Sequence, residues 1–360
     1  AQAAWRRYRR RGPVRRRWPR RCPDREGSRL LRHDALAGRG TADLLAAARA
    51  GDPRATGRLV SLVENDSPRL PAVMAALVGQ SAHATSVGVT GAPGVGKSTL
   101  VNALVSAYRG RGERVGVLAV DPTSPFSGGA VLGDRVRMSD HALDPGVFIR
   151  SMASRGHLGG LSWATPQALR VLAAVGFDVV LIETVGVGQS EVEVAGLADT
   201  TVVALAPGLG DGIQAAKAGI LEVGDVLVVN KADRDGADAV VRDLTAMLRL
   251  VSTPAAPDSP GWTPPVVRTS AHRGEGIDQL TDALNSHADW LRSSGRLAER
   301  RLLQAQQEVE ALAAHRFLVD VRDSLGDEAT RIARDVADGV LDPYTAAARY
   351  RTARRAAEKV

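Results

Sequence analysis

Residues 86–100 read SVGVTGAPGVGKSTL. The run 86–90 predicts a short buried strand, and the residues after Gly96 open a helical pattern. Between them Gly91, Gly96, Lys97 and Ser98 satisfy G-x-x-x-x-G-K-[ST] in the strand–loop–helix context this motif requires. Glycines let backbone N–H groups turn inward onto phosphates, and the helix N-terminus adds its positive end. The whole loop, Gly91, Ala92, Pro93, Gly94, Val95, Gly96, Lys97, Ser98 and Thr99, is therefore expected to cradle a nucleotide. Lys97 should reach the β- and γ-phosphates, and Ser98 should bind Mg²⁺.

Working outward, strand-like apolar runs recur at 115–120, 147–152, 178–183, 200–206, 225–230 and 265–271, with helical patterns between most of them. Short buried strands alternating with helices predict an α/β fold: a doubly wound, mostly parallel sheet flanked by helices. Residues 42–66 read as two helices broken at Gly51-Asp52-Pro53. After Ile277 no strand pattern appears. Residues 297–325 predict one long amphipathic helix, and two shorter helices follow it. No internal repeat is evident.

The base is chosen elsewhere. Residues 230–233 read NKAD at the end of a strand run. The Asp233 carboxylate can accept two hydrogen bonds from guanine, a pattern adenine does not offer. Lys231 can lay its stem over the base, and Asn230 can tie this loop to the phosphate loop. The TSA run at 269–271 ends the next strand, where backbone N–H groups can meet the guanine oxygen; Ser270, Ala271 and the adjacent His272 are the candidates.

Residues 183–186 read ETVG where Ras-type GTPases carry Asp-x-x-Gly. Glu183 would hold Mg²⁺ directly or through water, and the Gly186 N–H would sense the γ-phosphate. Lys97, Glu183 and Gly186 are thus the catalytic candidates. No glutamine follows as in Ras, although Gln189 is near, so hydrolysis by the chain alone should be slow. Asp121 ends a strand and Asp134 follows it. In a phosphate site, carboxylates repel the substrate unless a metal lies between them. Both are read as part of the Mg²⁺ shell or the layer behind it, an ordinary capping or loop aspartate being the other reading. The Gly- and Ser-rich run 151–162 should lie near the phosphates. Its Arg155 reads either as a charge stabiliser or as a solvated cation, and His157 has no evident partner.

Apolar content of 44% and charged content of 24% fit a globular protein. No apolar run reaches the roughly 18 residues that cross a bilayer. Cys22 is the single cysteine, which excludes an intrachain disulfide and agrees with a reducing compartment. The net charge of +7 is unevenly placed. Residues 1–40 hold 14 Arg against Asp24, Glu26 and Asp34, a surplus of 11, so the remaining 320 residues net −4. This Arg-rich leader has no apolar core of a secretory signal. It is expected to be disordered or not native, with a nucleic-acid or targeting arm as the other reading. The chain has 43 Arg but only four Lys, at 97, 217, 231 and 359. A lysine surviving in such a chain marks a place where a planar guanidinium would fail.

Together, GAPGVGKST, DPTSPFSGGAVLGDRVRM, SMASRGHLGGLS, IETVGVGQSEVEV and NKAD resemble the MeaB/ArgK (MMAA-type) P-loop GTPases, from about residue 42 to the C-terminus. The resemblance implies a fold of the SIMIBI class: N-terminal helices at 41–80, a GTPase domain at 81–292, and a helical arm at 293–360 that makes a homodimer. It implies GTP/GDP and Mg²⁺ as ligands. The implied partner is an adenosylcobalamin-dependent acyl-CoA mutase, whose cofactor loading and protection GTP hydrolysis would gate. Methylmalonyl-, ethylmalonyl- and isobutyryl-CoA mutases all stay open. The family's third switch maps onto residues 208–217, with Asp211 and Lys217 as communicators beside Gln189. A cytoplasmic location is expected, with no membrane or nucleic acid as partner. The rivals are a nickel-type metallochaperone GTPase, which the scattered histidines disfavour, a signal-recognition GTPase, and a nucleic-acid module resting on the leader.

Overall fold

The computed structural model describes residues 40–79, 83–121, 139–141, 143–153, 164–184, 190–208, 223–251 and 261–357. The chain divides into two units, Ala1–Gly40 and Thr41–Val360. The Arg-rich leader lies outside the described residues, and every described helix and strand belongs to the second unit.

Seven strands form one sheet in the order β3-β2-β4-β1-β5-β6-β7. They are β1 (Thr85–Thr90), β2 (Val115–Asp121), β3 (Val147–Ala153), β4 (Val179–Thr184), β5 (Thr200–Leu205), β6 (Val226–Val229) and β7 (Val266–Arg268). Every pairing within the sheet is parallel, sharper than the mostly parallel sheet that the sequence predicts. All residues of β4, β5 and β6 are buried, as strands covered by helices on both faces must be. Their side chains alternate between two cores. On one face Val202, Ala204, Val226 and Val228 join Leu100, Leu104, Leu280 and Leu284. On the other, Val203, Leu205, Leu227 and Val229 join Val240 and Leu244.

The helices follow their caps. α1 (Thr41–Arg49) and α2 (Pro53–Glu64) are separated where expected. Asp52 caps α2 by accepting from the N–H groups of Arg54 and Ala55, and Pro53 supplies the preset first turn. α3 (Leu70–Leu77) completes the N-terminal group. Next come α4 (Lys97–Gly110), α5 (Ala164–Ala174), α6 (Ser190–Leu197), α7 (Ala237–Val251) and α8 (Ile277–Ser293). Then α9 (Arg296–Leu325), α10 (Asp327–Ala337) and α11 (Pro343–Ala357) form the helical tail. Helices α2 and α3 pack on α5, and an Arg150–Glu64 ion pair joins α2 to β3.

Strand ends differ from the apolar pattern in one informative way. The run 225–230 shortens to Val226–Val229 and the run 265–271 to Val266–Arg268. Lys231 turns left-handed at φ 56°, so β6 cannot continue beyond Asn230. Ser270 pairs with Glu275 across a tight turn, so β7 stops before the TSA residues. Both departures place polar side chains at the carboxyl end of the sheet. Here β1 lies between β4 and β5 and the strand order reverses, the place where open α/β sheets bind ligands.

Candidate nucleotide site

Register builds the site. Val89 of β1 pairs with Glu183 of β4, and Thr90 pairs with Val203 of β5. The loop after β1 therefore emerges beside Glu183. Two of its glycines are demanded by space as well as by backbone angle. At Gly91, φ 137°, an added Cβ would stand 2.1 Å from the Ala204 carbonyl oxygen. At Gly96, φ 96°, it would stand 2.6 Å from Asn230 Nδ2. The loop is anchored by Val95, whose side chain is buried in the core, so its backbone alone faces the site. Pro93, Gly94 and Thr99 are exposed, and Ala92 is half-buried against the core.

Lys97 opens α4 and is 7% exposed. Its Nζ donates to the Gly91 carbonyl at 2.7 Å and the Ala92 carbonyl at 3.2 Å. The ammonium is thus folded into the concavity, where phosphate oxygens would compete with these carbonyls for it. Ser98 Oγ donates to Glu183 Oε1 at 2.5 Å. A hydroxyl and a buried carboxylate converging at the start of a phosphate-binding helix fit a hard divalent cation, and these two would hold Mg²⁺. Asp121 closes β2 opposite Ala153. Asp134, Arg155, His157, Gly186, Gln189, Asp211 and Lys217 lie outside the described residues.

Asn230 is the junction of the site and is 2% exposed. Its Nδ2 donates to the Val95 carbonyl at 2.9 Å, reaching the phosphate loop. Its Oδ1 accepts from Thr269 Oγ1 and from the Ala271 N–H, both at 3.1 Å, reaching the TSA turn. Lys231 adds a second tie, its Nζ donating to the Gly94 carbonyl at 2.5 Å. A non-glycine residue held at positive φ costs energy, of order 1–3 kcal/mol, and such strain persists where surroundings over-determine it. The adjacent Asn230 contacts do so here.

Asp233 accepts from Ser270 Oγ at 2.8 Å. Arg273 lies 3.7 Å and His272 4.0 Å from its other oxygen. The Ser270 hydrogen bond, with help from Asp233's own backbone N–H and the nearby Arg273 guanidinium and against some desolvation, holds this carboxyl below the usual carboxylate range. It therefore presents two acceptor oxygens at the carboxyl end of the sheet. The TSA amides are arranged differently from expectation. Ser270 N–H donates to the Glu275 carbonyl and Ala271 N–H to Asn230. A guanine oxygen reaching this turn competes with those internal acceptors. Arg273 escaped the sequence reading, although a cation two residues beyond TSA was visible.

Among the described residues, no group of three or more His, Cys, Asp or Glu is arranged to hold a metal, and no helix is long and apolar enough to cross a membrane.

Comparison with known proteins agrees with this geometry. Residues 56–325 match the family described as methylmalonyl Co-A mutase-associated GTPase MeaB. A putative GTPase of Pyrococcus abyssi is 46% identical over 306 residues, covering 85% of this chain and 94% of that protein. The GTPase ArgK of Escherichia coli is 38% identical over 270 residues, covering 73% and 80%. The crystal structure of an LAO/AO transport system kinase aligns with a TM-score of 0.61 at 28% identity, covering 87% of this chain and 96% of that one. Both of these relatives by sequence are named as GTPases. The chain belongs to the MeaB family of methylmalonyl-CoA mutase-associated GTPases, and it is a P-loop GTPase.

Proposed function

We propose that this GTPase acts as a chaperone of an adenosylcobalamin-dependent acyl-CoA mutase, gating cofactor loading and protection by GTP binding and hydrolysis. The Asn230 junction carries the nucleotide half of this reading. One side chain bonds the phosphate loop and the base turn, so phosphate and base recognition move as a unit. The family description supports the mutase half.

In this reading residues 81–292 form the GTPase domain. Lys97 binds the β- and γ-phosphates, and the amides of residues 91–99 surround them. Asp233 selects guanine, with Lys231 covering the base. Ser98 and Glu183 hold Mg²⁺, with Asp121 and Asp134 in or behind its shell. The bound ion neutralises phosphate charge, while Gly186 senses the γ-phosphate. Intrinsic turnover is slow because no glutamine stands where Ras-type enzymes carry one, and the mutase supplies the missing order. Gln189, Asp211 and Lys217 communicate with it.

The tail, residues 293–360, is assigned to self-association. Helix α9 presents Leu302, Leu303 and Val309 to solvent at 63%, 55% and 65% exposure. It turns charged residues toward its own domain. An apolar face turned outward is the face a second copy would cover.

The test is GTP turnover with and without purified methylmalonyl-CoA mutase, for wild type and for Lys217→Ala. Wild type should be stimulated. The variant should keep its intrinsic rate within a few-fold and lose most of the stimulation. Equal stimulation of both proteins removes the switch assignment, and no stimulation by any acyl-CoA mutase removes the chaperone reading.

A further inference from the structure

Helix α9 grips the corner between α6 and β5. Arg301 forks onto the Asp199 carboxylate, Nε to Oδ1 at 3.2 Å and Nη2 to Oδ2 at 3.1 Å. Arg300 Nη1 donates to the Asp199 carbonyl at 2.7 Å. Gln304 Nε2 donates to the Ala198 carbonyl at 3.1 Å. Asp199 is 5% exposed and also belongs to the sheet: its Oδ2 accepts from the Ser86 N–H of β1, and its own N–H donates to Ser86 Oγ. One buried carboxylate therefore joins the arm, the end of α6 and the first residues of the strand that leads into the phosphate loop.

The corner is mechanically tied to the nucleotide end. In sequence, five residues separate Thr184 from the first residue of α6. Helix α6 lies directly on β1. A Cβ added at Gly88 would stand 2.6 Å from Val194 Cγ2 and 3.2 Å from Ala198 Cβ. With no space beneath it, α6 cannot sink toward the sheet. It can only slide or rotate, and either motion displaces the carbonyls that the arm holds. Packed helices shift in this way rather than deform.

We propose that Asp199 is a positioning residue through which the seating of the arm and the nucleotide state are linked, Arg301 and Gln304 reading the end of α6. The proposal rests on the GTPase reading and adds its regulation. Linkage is reciprocal: if nucleotide exchange changes arm seating by some factor, removing the seat changes nucleotide preference by the same factor. Directional hydrogen bonds suit this role better than apolar packing, because a small slide of α6 moves the Ala198 carbonyl from Gln304 and strains the fork that β1 holds at Asp199.

The experiment uses the full chain with Mg²⁺ and either GDP or a non-hydrolysable GTP analogue. Hydrogen exchange of residues 296–308 is followed by mass spectrometry, and nucleotide affinities by fluorescent-analogue titration. In wild type the two nucleotides should give exchange rates in this segment differing by about five-fold or more. Arg301→Ala should abolish that difference and shift the GDP-to-analogue affinity ratio by a similar factor. Arg301→Lys, which keeps the charge without the fork, should recover part of it. If Arg301→Ala does not fold, Gln304→Ala should show a smaller shift in the same direction. A merely structural clamp would lower stability and leave the affinity ratio unchanged, which overturns the proposal, as does identical exchange of the wild-type arm under both nucleotides. Failure of wild type to bind either guanine nucleotide would overturn the underlying GTPase reading along with it, and the titration identifies that case separately.

Discussion

Helices α4 and α9 are attached to the same sheet domain by opposite means. Helix α4, 14 residues long, buries Leu100, Val101, Leu104 and Val105 completely. Helix α9, 30 residues long, has Val321 as its one buried side chain. It is held instead through Asp199, through Glu308 with Arg170, and through Asp66 with His315 and Arg316. Apolar burial is non-directional and is not screened by salt, so it fixes the helix that carries Lys97 and Ser98. Apart from the buried Asp199 carboxylate, these are partly exposed pairs, which contribute little net stability and are screened by salt. The nucleotide helix is thus held by core packing and the arm mainly by polar contacts.

The sharpest way to break the nucleotide side of this contrast is Asp233→Asn, which inverts the donor–acceptor pattern facing guanine. GTP affinity should fall at least about 100-fold, since a site built to hydrogen-bond rejects a mismatched pattern strongly. Affinity for xanthosine triphosphate should rise. Competition binding against ATP, GTP and xanthosine triphosphate decides it, and unchanged GTP affinity would remove Asp233 from the base site.

Leu104→Ala tests the apolar attachment. A fully buried leucine whose removal leaves a cavity should cost about 2–5 kcal/mol in urea unfolding. A loss below about 1 kcal/mol, against that expectation, would mean that α4 is held by something other than its core face.

A third prediction concerns the junction of the two attachments. His287 on α8 is fully buried, shares a hydrogen bond with Thr200 Oγ1 at 2.8 Å, and stacks 5.6 Å from Trp290. Burial pushes its imidazole below the ordinary value, Asp225 and Asp199 pulling the other way while Arg300 of α9 adds to the fall. The unfolded chain therefore takes up this proton first. The contribution is full above about pH 6.5, the ordinary imidazole value, and is lost as pH drops below it. Melting temperatures measured from pH 8 to 5.5 should fall on the acid side, and His287→Gln should flatten that fall. A wild-type curve no steeper than the variant's would show that this histidine is not the group responsible.

The smallest effect belongs to the far end of the arm. Asp66→Asn, which removes the charge facing His315 and Arg316 but keeps a residue tolerated at the left-handed backbone of position 66, φ 46°, should cost about 1 kcal/mol or less. That cost should shrink toward zero in 1 M salt, where the Debye length is about 3 Å. A cost unchanged by salt would show that α9 is not electrostatically held there.

Much of the nucleotide site was legible because its chemistry is local. The spacing of Gly91, Gly96, Lys97 and Ser98 follows from one turn of backbone and needs no distant partner. The alternation of apolar runs with helical patterns likewise announced a parallel sheet, since fully covered strands must be apolar on both faces. The ends of β6 and β7 were less legible. Residues 230 and 269–271 close the strand-like runs in sequence but leave the strands to serve as the Asn230 and Ser270 connections in space.

Sequence by itself determined the strand–loop–helix unit around Gly91–Ser98 and the succession of strands and helices along the chain, because each is written in contiguous residues whose backbone preferences act over a few positions. Tertiary structure alone decided which side chains meet across the chain. Arg301 and Asp199 lie 102 residues apart, and Arg150 meets Glu64 across 86. An arginine on a helix face reads as solvated until the fold brings a buried carboxylate beneath it. Periodicity reports that a face exists, but the register of the sheet and the path of α9 choose what that face touches.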